Sequence, residues 1–175
     1  MKSRQEKIGL LARINRGKKA MPVFLASLSL ALECPIKSDS IQSLTETDSL
    51  WQLYGQGYSS AITGVQASYR RMFSRNEATR VFRVAECLAS FLPDEKAFLL
   101  DKQSEICGAV EVGVANLLQH TKQTIKLDGD AVRVVSQDKT QGFVIDFNPD
   151  DADWNYEIAV WGDRWPLLIL GCDYE

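Results

Sequence analysis

The last third of this sequence changes from helical to alternating periodicity, and that change limits the possible fold more than any other feature. From residue 124 onward, apolar and polar residues alternate in short runs that are separated by links of only a few residues. Such links join antiparallel neighbours, because a parallel return needs about a dozen residues or more. The pattern therefore predicts an antiparallel sheet with strands at 124–127, 131–136, 142–148, 155–161 and 166–171.

The segments before residue 124 are mainly typical of helices. Ser74-Arg-Asn-Glu77 forms a capping box, and apolar residues recur behind it at helical spacing as far as Pro93. Residues 36–49 and 55–60 are typical of loops. Further helices are predicted at 2–16, 21–32, 61–73 and 94–120, although the valines and glycines near residue 110 also fit an extended segment.

These patterns predict an α+β fold, with an N-terminal helical region packed on a C-terminal antiparallel β-sheet of four to five strands. A chain of 175 residues is the size of one domain. Within it we expect a basic N-terminal helix or arm at 1–20, a mainly helical part at 21–123, and the sheet at 124–175.

The formal net charge of −3 hides a strong gradient along the chain. Residues 1–20 carry a net charge of +6, whereas residues 127–175 carry −8. Such asymmetry suggests charged partners.

The first 32 residues have the outline of a secretory signal, with a basic leader before an apolar run at 21–32. The basic leader is too long for that role. The residues that follow the apolar run, Glu33, Cys34 and Pro35, also lack the small side chains of a cleavage site. The apolar run is also shorter than the roughly 20 residues that cross a bilayer. We therefore expect a cytoplasmic protein with no membrane partner.

The four cysteines predict neither a disulfide scaffold nor a metal site. No two of them form a C-x-x-C pair, so we expect small, buried, free thiols in a reducing compartment. These residues are Cys34, Cys87, Cys107 and Cys172.

The segment from Asp146 to Glu157 nearly matches a calcium-binding loop, D-x-[DN]-x-[DN]-G-x5-E. Asp151 stands where that loop needs its glycine, and Pro149 lies inside it. An acidic hairpin loop without a metal is the favoured interpretation, and calcium is the alternative.

No pattern in the chain predicts catalysis or a cofactor. The one histidine, His120, lies at a predicted helix end, where the helix dipole favours a cation. Nothing orients a cysteine beside it as a nucleophile. The chain is accordingly predicted not to be an enzyme, with an enzyme of unrecognised type as a further alternative.

The C-terminal acidic residues alternate with aromatic ones, a composition suited to binding a basic protein. Aromatic side chains supply buried contact energy, and carboxylates steer the encounter. One concrete form is a small cytoplasmic inhibitor of immunity type that blocks a nuclease toxin. The candidate partner-binding residues are Asp150, Asp151, Asp153, Trp154, Glu157, Trp161, Asp163 and Trp165.

A second cluster of charge predicts a different partner. Five arginines lie within fourteen residues and, with the basic N-terminus, could bind the phosphates of a nucleic acid. A solvated helix face paired with Glu77 and Glu86 is the simpler interpretation of the same residues. The five are Arg70, Arg71, Arg75, Arg80 and Arg83.

Overall fold

The computed structural model describes residues 3–64, 67–151 and 155–173. Helices pack on both faces of one antiparallel sheet of six strands. The helices are α1 (Arg4–Ala31), α2 (Leu44–Thr63), α3 (Ala78–Phe91), α4 (Ser104–Cys107), α5 (Val114–Gln119), α6 (Thr121–Asp128) and α7 (Trp165–Asp173). The strands are β1 (Ser68–Phe73), β2 (Lys96–Leu99), β3 (Val110–Gly113), β4 (Ala131–Ser136), β5 (Gly142–Phe147) and β6 (Tyr156–Trp161).

The sheet has the strand order β1-β6-β5-β4-β2-β3, and every neighbouring pair is antiparallel. Strands β4, β5 and β6 follow one another in chain and in space, as the alternating periodicity predicts. The predicted α+β fold is thus confirmed, but with six strands rather than four to five.

Both faces of the sheet are covered. On one face α2 packs against a small apolar cluster that includes Ala131, Val144 and Ala159. On the other face the second half of α1 joins α3, α5, α6 and α7 over the main core.

The capping box and the helix behind it were predicted correctly. The Ser74 amide and hydroxyl both donate to Glu77 Oε2 at 3.1 Å, and α3 then runs to Phe91. Its buried residues, such as Val81, Ala85 and Leu88, recur at the predicted spacing.

Several other predicted elements were wrong, and the reasons are local. The helices predicted at 2–16 and 21–32 were expected to be separate, but residues 4–16 and 21–31 belong to one helix, α1, which continues through Gly17 and Pro22. Residues 124–127 and 166–171 were predicted as strands but lie in helices α6 and α7. Short apolar runs fit a strand or a buried helix equally well, because neither period repeats often enough to discriminate.

Strands β1, β2 and β3 arise where the sequence predicted helix. The end of the predicted helix 61–73 is the edge strand β1, and 94–120 contains β2 and β3 between short helices. The valines near residue 110 do lie in an extended segment, the alternative that their branching favoured. Residues 44–49 of the predicted loop 36–49, and the predicted loop 55–60, instead belong to α2, which Ser43 caps by accepting the Glu46 amide hydrogen.

Gly57 shows why α2 passes through a glycine-containing segment without a break. A Cβ at this position would overlap the indole of Trp161, whose ring fills the space between α2 and β5. The glycine therefore allows close helix–sheet packing, and it does not mark a turn.

Among the described residues, no helix is both long enough and apolar enough to traverse a lipid bilayer.

Candidate functional site: the acidic end of the sheet

One end of the sheet collects carboxylates from four separate parts of the chain. The end of β2, the start of β4, the end of β5 and the start of β6 all lie there, because the strands are antiparallel. We call this region the acidic end, and its carboxylates are Asp101, Asp128, Asp130, Asp146, Asp150, Asp151 and Glu157.

Arg133 is the central cation of the acidic end. Its guanidinium donates to Asp128 Oδ2 at 2.7 Å and to Asp130 Oδ1 at 2.9 Å. Lys102 supports the same pair, with its amide donating to Asp128 Oδ1 at 2.7 Å and its Nζ 2.8 Å from Asp130 Oδ2. The side chain of Asp128 is only 1% exposed, so these bonds compensate for its lost hydration. The bonds from Lys102 also hold the loop before β4 against the loop after β2.

Asp101 is the most deeply buried carboxyl of the group, at 2% exposure. Its Oδ1 accepts the Gln103 amide hydrogen at 2.6 Å, while Oδ2 has no hydrogen-bond partner in the described part of the chain. Burial, and to a smaller extent the neighbouring Asp128 carboxylate, raises the pKa of Asp101 to about 6. Asp101 therefore binds a proton under mildly acidic conditions.

Glu157 and Asp146 face each other directly across β5 and β6. Arg70 Nε donates to Glu157 Oε1 at 2.6 Å, and the Tyr58 hydroxyl lies 3.3 Å from both of its carboxylate oxygens. Asp146 is half-buried, and this burial raises its pKa, while nearby Arg133 opposes the rise. The two carboxylates thus lie together on the face that α2 covers.

Two tyrosines of α2 pack over Glu157 and Asp146 at the acidic end. The rings of Tyr54 and Tyr58 stack with an interplanar angle of 7° and centroids 5.9 Å apart. Burial raises the pKa of the Tyr54 hydroxyl to about 12, so it stays protonated and can donate near neutral pH. These rings exclude water from one side of the ion pairs below them.

The loop between β5 and β6 carries the carboxylates of Asp150 and Asp151. Asp150 is exposed and its amide donates to Asn148 Oδ1 at 3.2 Å. The Asn155 side-chain amide holds the loop from the other side by donating to the carbonyls of Asn148 and Asp151, both at 3.1 Å. The predicted binding residues Asp153 and Trp154 lie outside the described residues.

The segment that nearly matches a calcium loop begins and ends on two neighbouring strands. Its first and last positions, Asp146 and Glu157, are opposite residues of a strand ladder. Within residues 3–64, 67–151 and 155–173, no group of three or more His, Cys, Asp or Glu side chains is arranged to hold a metal ion.

The remaining predicted partner-binding residues are separated by the length of β6. Asp163 is exposed, but it follows β6 and therefore lies at the opposite end of the sheet from Asp150. Trp161 is 4% exposed and Trp165 is fully buried. These two tryptophans are therefore core residues in this conformation and present no anchor to a partner, a correction to their predicted role.

The five arginines do not form one surface. Arg70 and Arg71 point to opposite faces of β1 because they are adjacent in a strand, and they pair with Glu157 and Asp173. Arg80 of α3 also binds Asp173. Arg75 and Arg83 are exposed and make no ion pair with a described residue.

The expectation of four free thiols is wrong for two cysteines. Cys87 of α3 and Cys172 of α7 form a disulfide, while Cys34 and Cys107 are free. Sequence spacing could not show this, because 85 residues separate the pair and only the packing of α7 on α3 brings them together.

His120 lies at a helix end, as predicted, although it stands between two short helices, α5 and α6, and not at the end of one long helix. Its Nδ1 lies 2.9 Å from the Asn116 carbonyl oxygen, and its Nε2 lies 3.9 Å from a Glu33 carboxylate oxygen. These contacts are those of a helix-end histidine beside an acidic residue.

Sequence reasoning missed Asp101, Asp128, Asp130, Arg133 and the two stacked tyrosines. The Asp128-Gly-Asp130 segment was interpreted only as a turn, and Asp101 as part of a helix. A usable signal was the position of Asp101 directly after the apolar run 97–100, where a polar residue marks the end of a buried strand.

The chain matches no family model, and its comparison with curated proteins and with solved structures gives no similar protein.

Proposed function

We propose that this protein is a binding protein whose acidic end docks onto a basic partner protein. The single observation that supports this proposal is the convergence of seven carboxylates on one end of the sheet, where the ion pairs of Arg70, Lys102 and Arg133 involve three of them, Asp128, Asp130 and Glu157. The excess of negative charge produces a field that extends beyond the individual ion pairs and steers a cationic surface towards this end.

The buried and exposed carboxylates have different tasks in this proposal. Asp101, Asp128 and Glu157 are held by hydrogen bonds inside the protein, so they contribute a fixed negative potential without moving. Asp130 is partly exposed and Asp150 is exposed, which makes them available for direct contact. A preformed charge pattern of this kind lowers the ordering cost of binding.

The concrete form we propose is a cytoplasmic inhibitor of immunity type, directed at a nucleic-acid-cleaving toxin. Enzymes that hold a phosphate backbone are basic where they hold it. An acidic surface that imitates this backbone can occupy the same groove and block the enzyme.

Charge reversal at Asp150 tests the proposal, and Asp163 provides a matched control. Asp150→Lys and Asp163→Lys make the same change in net charge at exposed positions, but at opposite ends of the sheet. Wild type and both variants are immobilised and exposed to a lysate of the native host at low salt. Retained proteins are identified by mass spectrometry, and the affinity of a purified partner is measured by calorimetry at increasing salt.

We expect a basic protein that binds wild type and Asp163→Lys but binds Asp150→Lys at least about tenfold more weakly, as in charge-reversed interfaces. Inhibition of nuclease activity by wild type would establish the inhibitor form. Equal binding by both variants, or the absence of any retained basic protein, would refute docking at the acidic end.

A second candidate function is nucleic-acid association, favoured by the outer face of α1. Five basic side chains along this helix are exposed and form no ion pair with any described residue. They are Arg4, Lys7, Arg16, Lys18 and Lys19.

A further inference from the structure

The disulfide between Cys87 and Cys172 lies beside a cavity at the surface. The cavity has a volume of about 310 Å³, and its lining residues are Arg80, Arg83, Val84 and the two cysteines. Cys87 is half-buried, whereas Cys172 is 5% exposed. A small molecule that enters this space reaches the sulfur of Cys87 more readily than that of Cys172.

The two arginines that line the cavity are held differently. Arg80 binds the C-terminal end of α7. Its Nη2 donates to the Asp173 carbonyl oxygen at 2.8 Å and lies 3.2 Å from Asp173 Oδ1. Arg83 is exposed, one turn before Cys87 on α3, and has no ion-pair partner among the described residues. Arg83 can therefore donate to an anionic group that occupies the cavity.

We propose that this disulfide undergoes exchange with small thiols that carry a carboxylate, and that Arg83 binds the carboxylate. A thiol of this class places its negative group on the guanidinium and its sulfur near Cys87. The cationic lining also favours the thiolate form of an entering thiol, which is the attacking species.

The exchange has two steps. The thiolate attacks Cys87 Sγ, a mixed disulfide forms at Cys87, and Cys172 leaves as a thiolate beside Arg80 and Arg83. A second thiolate then attacks the small-molecule sulfur of the mixed disulfide, which gives a free disulfide and the Cys87 thiolate. Two thiols are oxidised, and the protein disulfide is reduced by the same two electrons.

The structure can accommodate the reduced state. Asp173 holds the end of α7 through the Tyr69 hydroxyl at 2.8 Å and the Arg71 guanidinium at 2.5 Å, in addition to Arg80. Trp165 at the start of α7 is fully buried in the core. Since these contacts do not involve sulfur, α7 remains in place when the disulfide opens, and the exchange is reversible.

The test compares an anionic thiol with a neutral one. Full-length protein is purified without reductant, then treated with glutathione or with 2-mercaptoethanol at about pH 8, where thiolates are available. Mass spectrometry of the peptides that contain Cys87 and Cys172 follows the loss of the disulfide and the mixed disulfide at Cys87. Arg83→Gln removes the proposed carboxylate partner, and Arg75→Gln is the matched control at an exposed arginine outside the cavity.

We expect Arg83→Gln to slow the reaction with glutathione about twofold to fivefold more than it slows the reaction with 2-mercaptoethanol, the range for one exposed ion pair. Arg75→Gln changes neither rate. Equal slowing for both thiols would show a structural effect and overturn the proposal. So would glutathione attack at Cys172, a disulfide inert to both thiols, or free thiols at both positions in the purified protein.

Discussion

Asp101 is the residue whose environment departs most from that of an ordinary surface carboxyl. It is buried against Asp128 with one unpartnered oxygen, and its pKa is raised to about 6. The folded protein therefore binds a proton at this site more tightly than the unfolded chain does. The stabilisation from that proton is complete below the unfolded value of 3.8 and is lost as the pH rises through about 6.

Replacement of Asp101 by Asn tests this linkage. The amide is the same size, keeps an acceptor for the Gln103 amide hydrogen, and can donate to Asp128 without a proton from solvent. We expect the variant to be more stable than wild type near pH 7.5 by up to about 3 kcal/mol, with the difference falling to about 1 kcal/mol near pH 4.5 and disappearing below about pH 3.8. Urea unfolding across this range measures it.

Asp163→Asn is the control for the pH experiment, because it removes an exposed carboxyl from the opposite end of the sheet. Its stability should follow that of wild type at each pH. If Asp101→Asn also follows wild type, burial does not raise the pKa of Asp101 in the folded protein.

At the scale of single elements, α1 is held along its length by specific contacts. Arg13 pairs with Asp48 of α2 through two bonds of 3.0 and 2.8 Å, and its Nε donates to the Glu105 carbonyl at 2.8 Å. Gly17 lies against the backbone of Ile106, where a Cβ would overlap the carbonyl group. Gly17, which directly follows the predicted helix 2–16, is thus a point of close backbone contact between α1 and α4.

Two glycine substitutions in α1 separate helix propensity from packing. Gly9 has open space where a Cβ would be, so Gly9→Ala should raise the free energy of unfolding by about 1 kcal/mol. Gly17→Ala gains the same propensity but must push α4 away, so it should destabilise the protein by about 1–3 kcal/mol. Thermal and urea unfolding of the two variants are compared. A Gly17→Ala protein as stable as Gly9→Ala would show that α1 does not pack on α4 as described.

The elements also show how far sequence reasoning reaches. Strands β4, β5 and β6 and helix α3 were predictable, because each repeats its period several times and has clear ends. Helices α6 and α7 were not, since their apolar runs are short and their partners lie in distant parts of the chain. The sequence predicted that Asp146, Asp150 and Glu157 lie near one another in one hairpin, whereas the contribution of Asp101 and Arg133 to the same end required the strand order.

At the scale of the whole molecule, the two charge excesses occupy different elements. The acidic end is formed by strand ends and loops of the sheet, while the basic side chains lie along the outer face of α1. Ion pairs within the protein neutralise Arg70, Arg71 and Arg80, whereas the exposed basic residues of α1 have no such partner in the described chain. Any phosphate binding should therefore depend on α1 and not on the arginines of β1.

This separation gives a prediction for nucleic-acid binding, measured by gel shift with single-stranded and double-stranded probes at low salt. If α1 binds phosphates, then Arg16→Glu/Lys18→Glu/Lys19→Glu should abolish the shift at moderate salt. It should also reduce the slope of log affinity against log salt by about 2 to 3, one counterion contact for each residue. The control Lys122→Glu/Lys126→Glu changes two exposed lysines of α6 and should bind almost as wild type does. Equal weakening in both variants would indicate a response to net charge alone. An undetectable shift for wild type at low salt would exclude this second function and leave α1 without a role in phosphate binding.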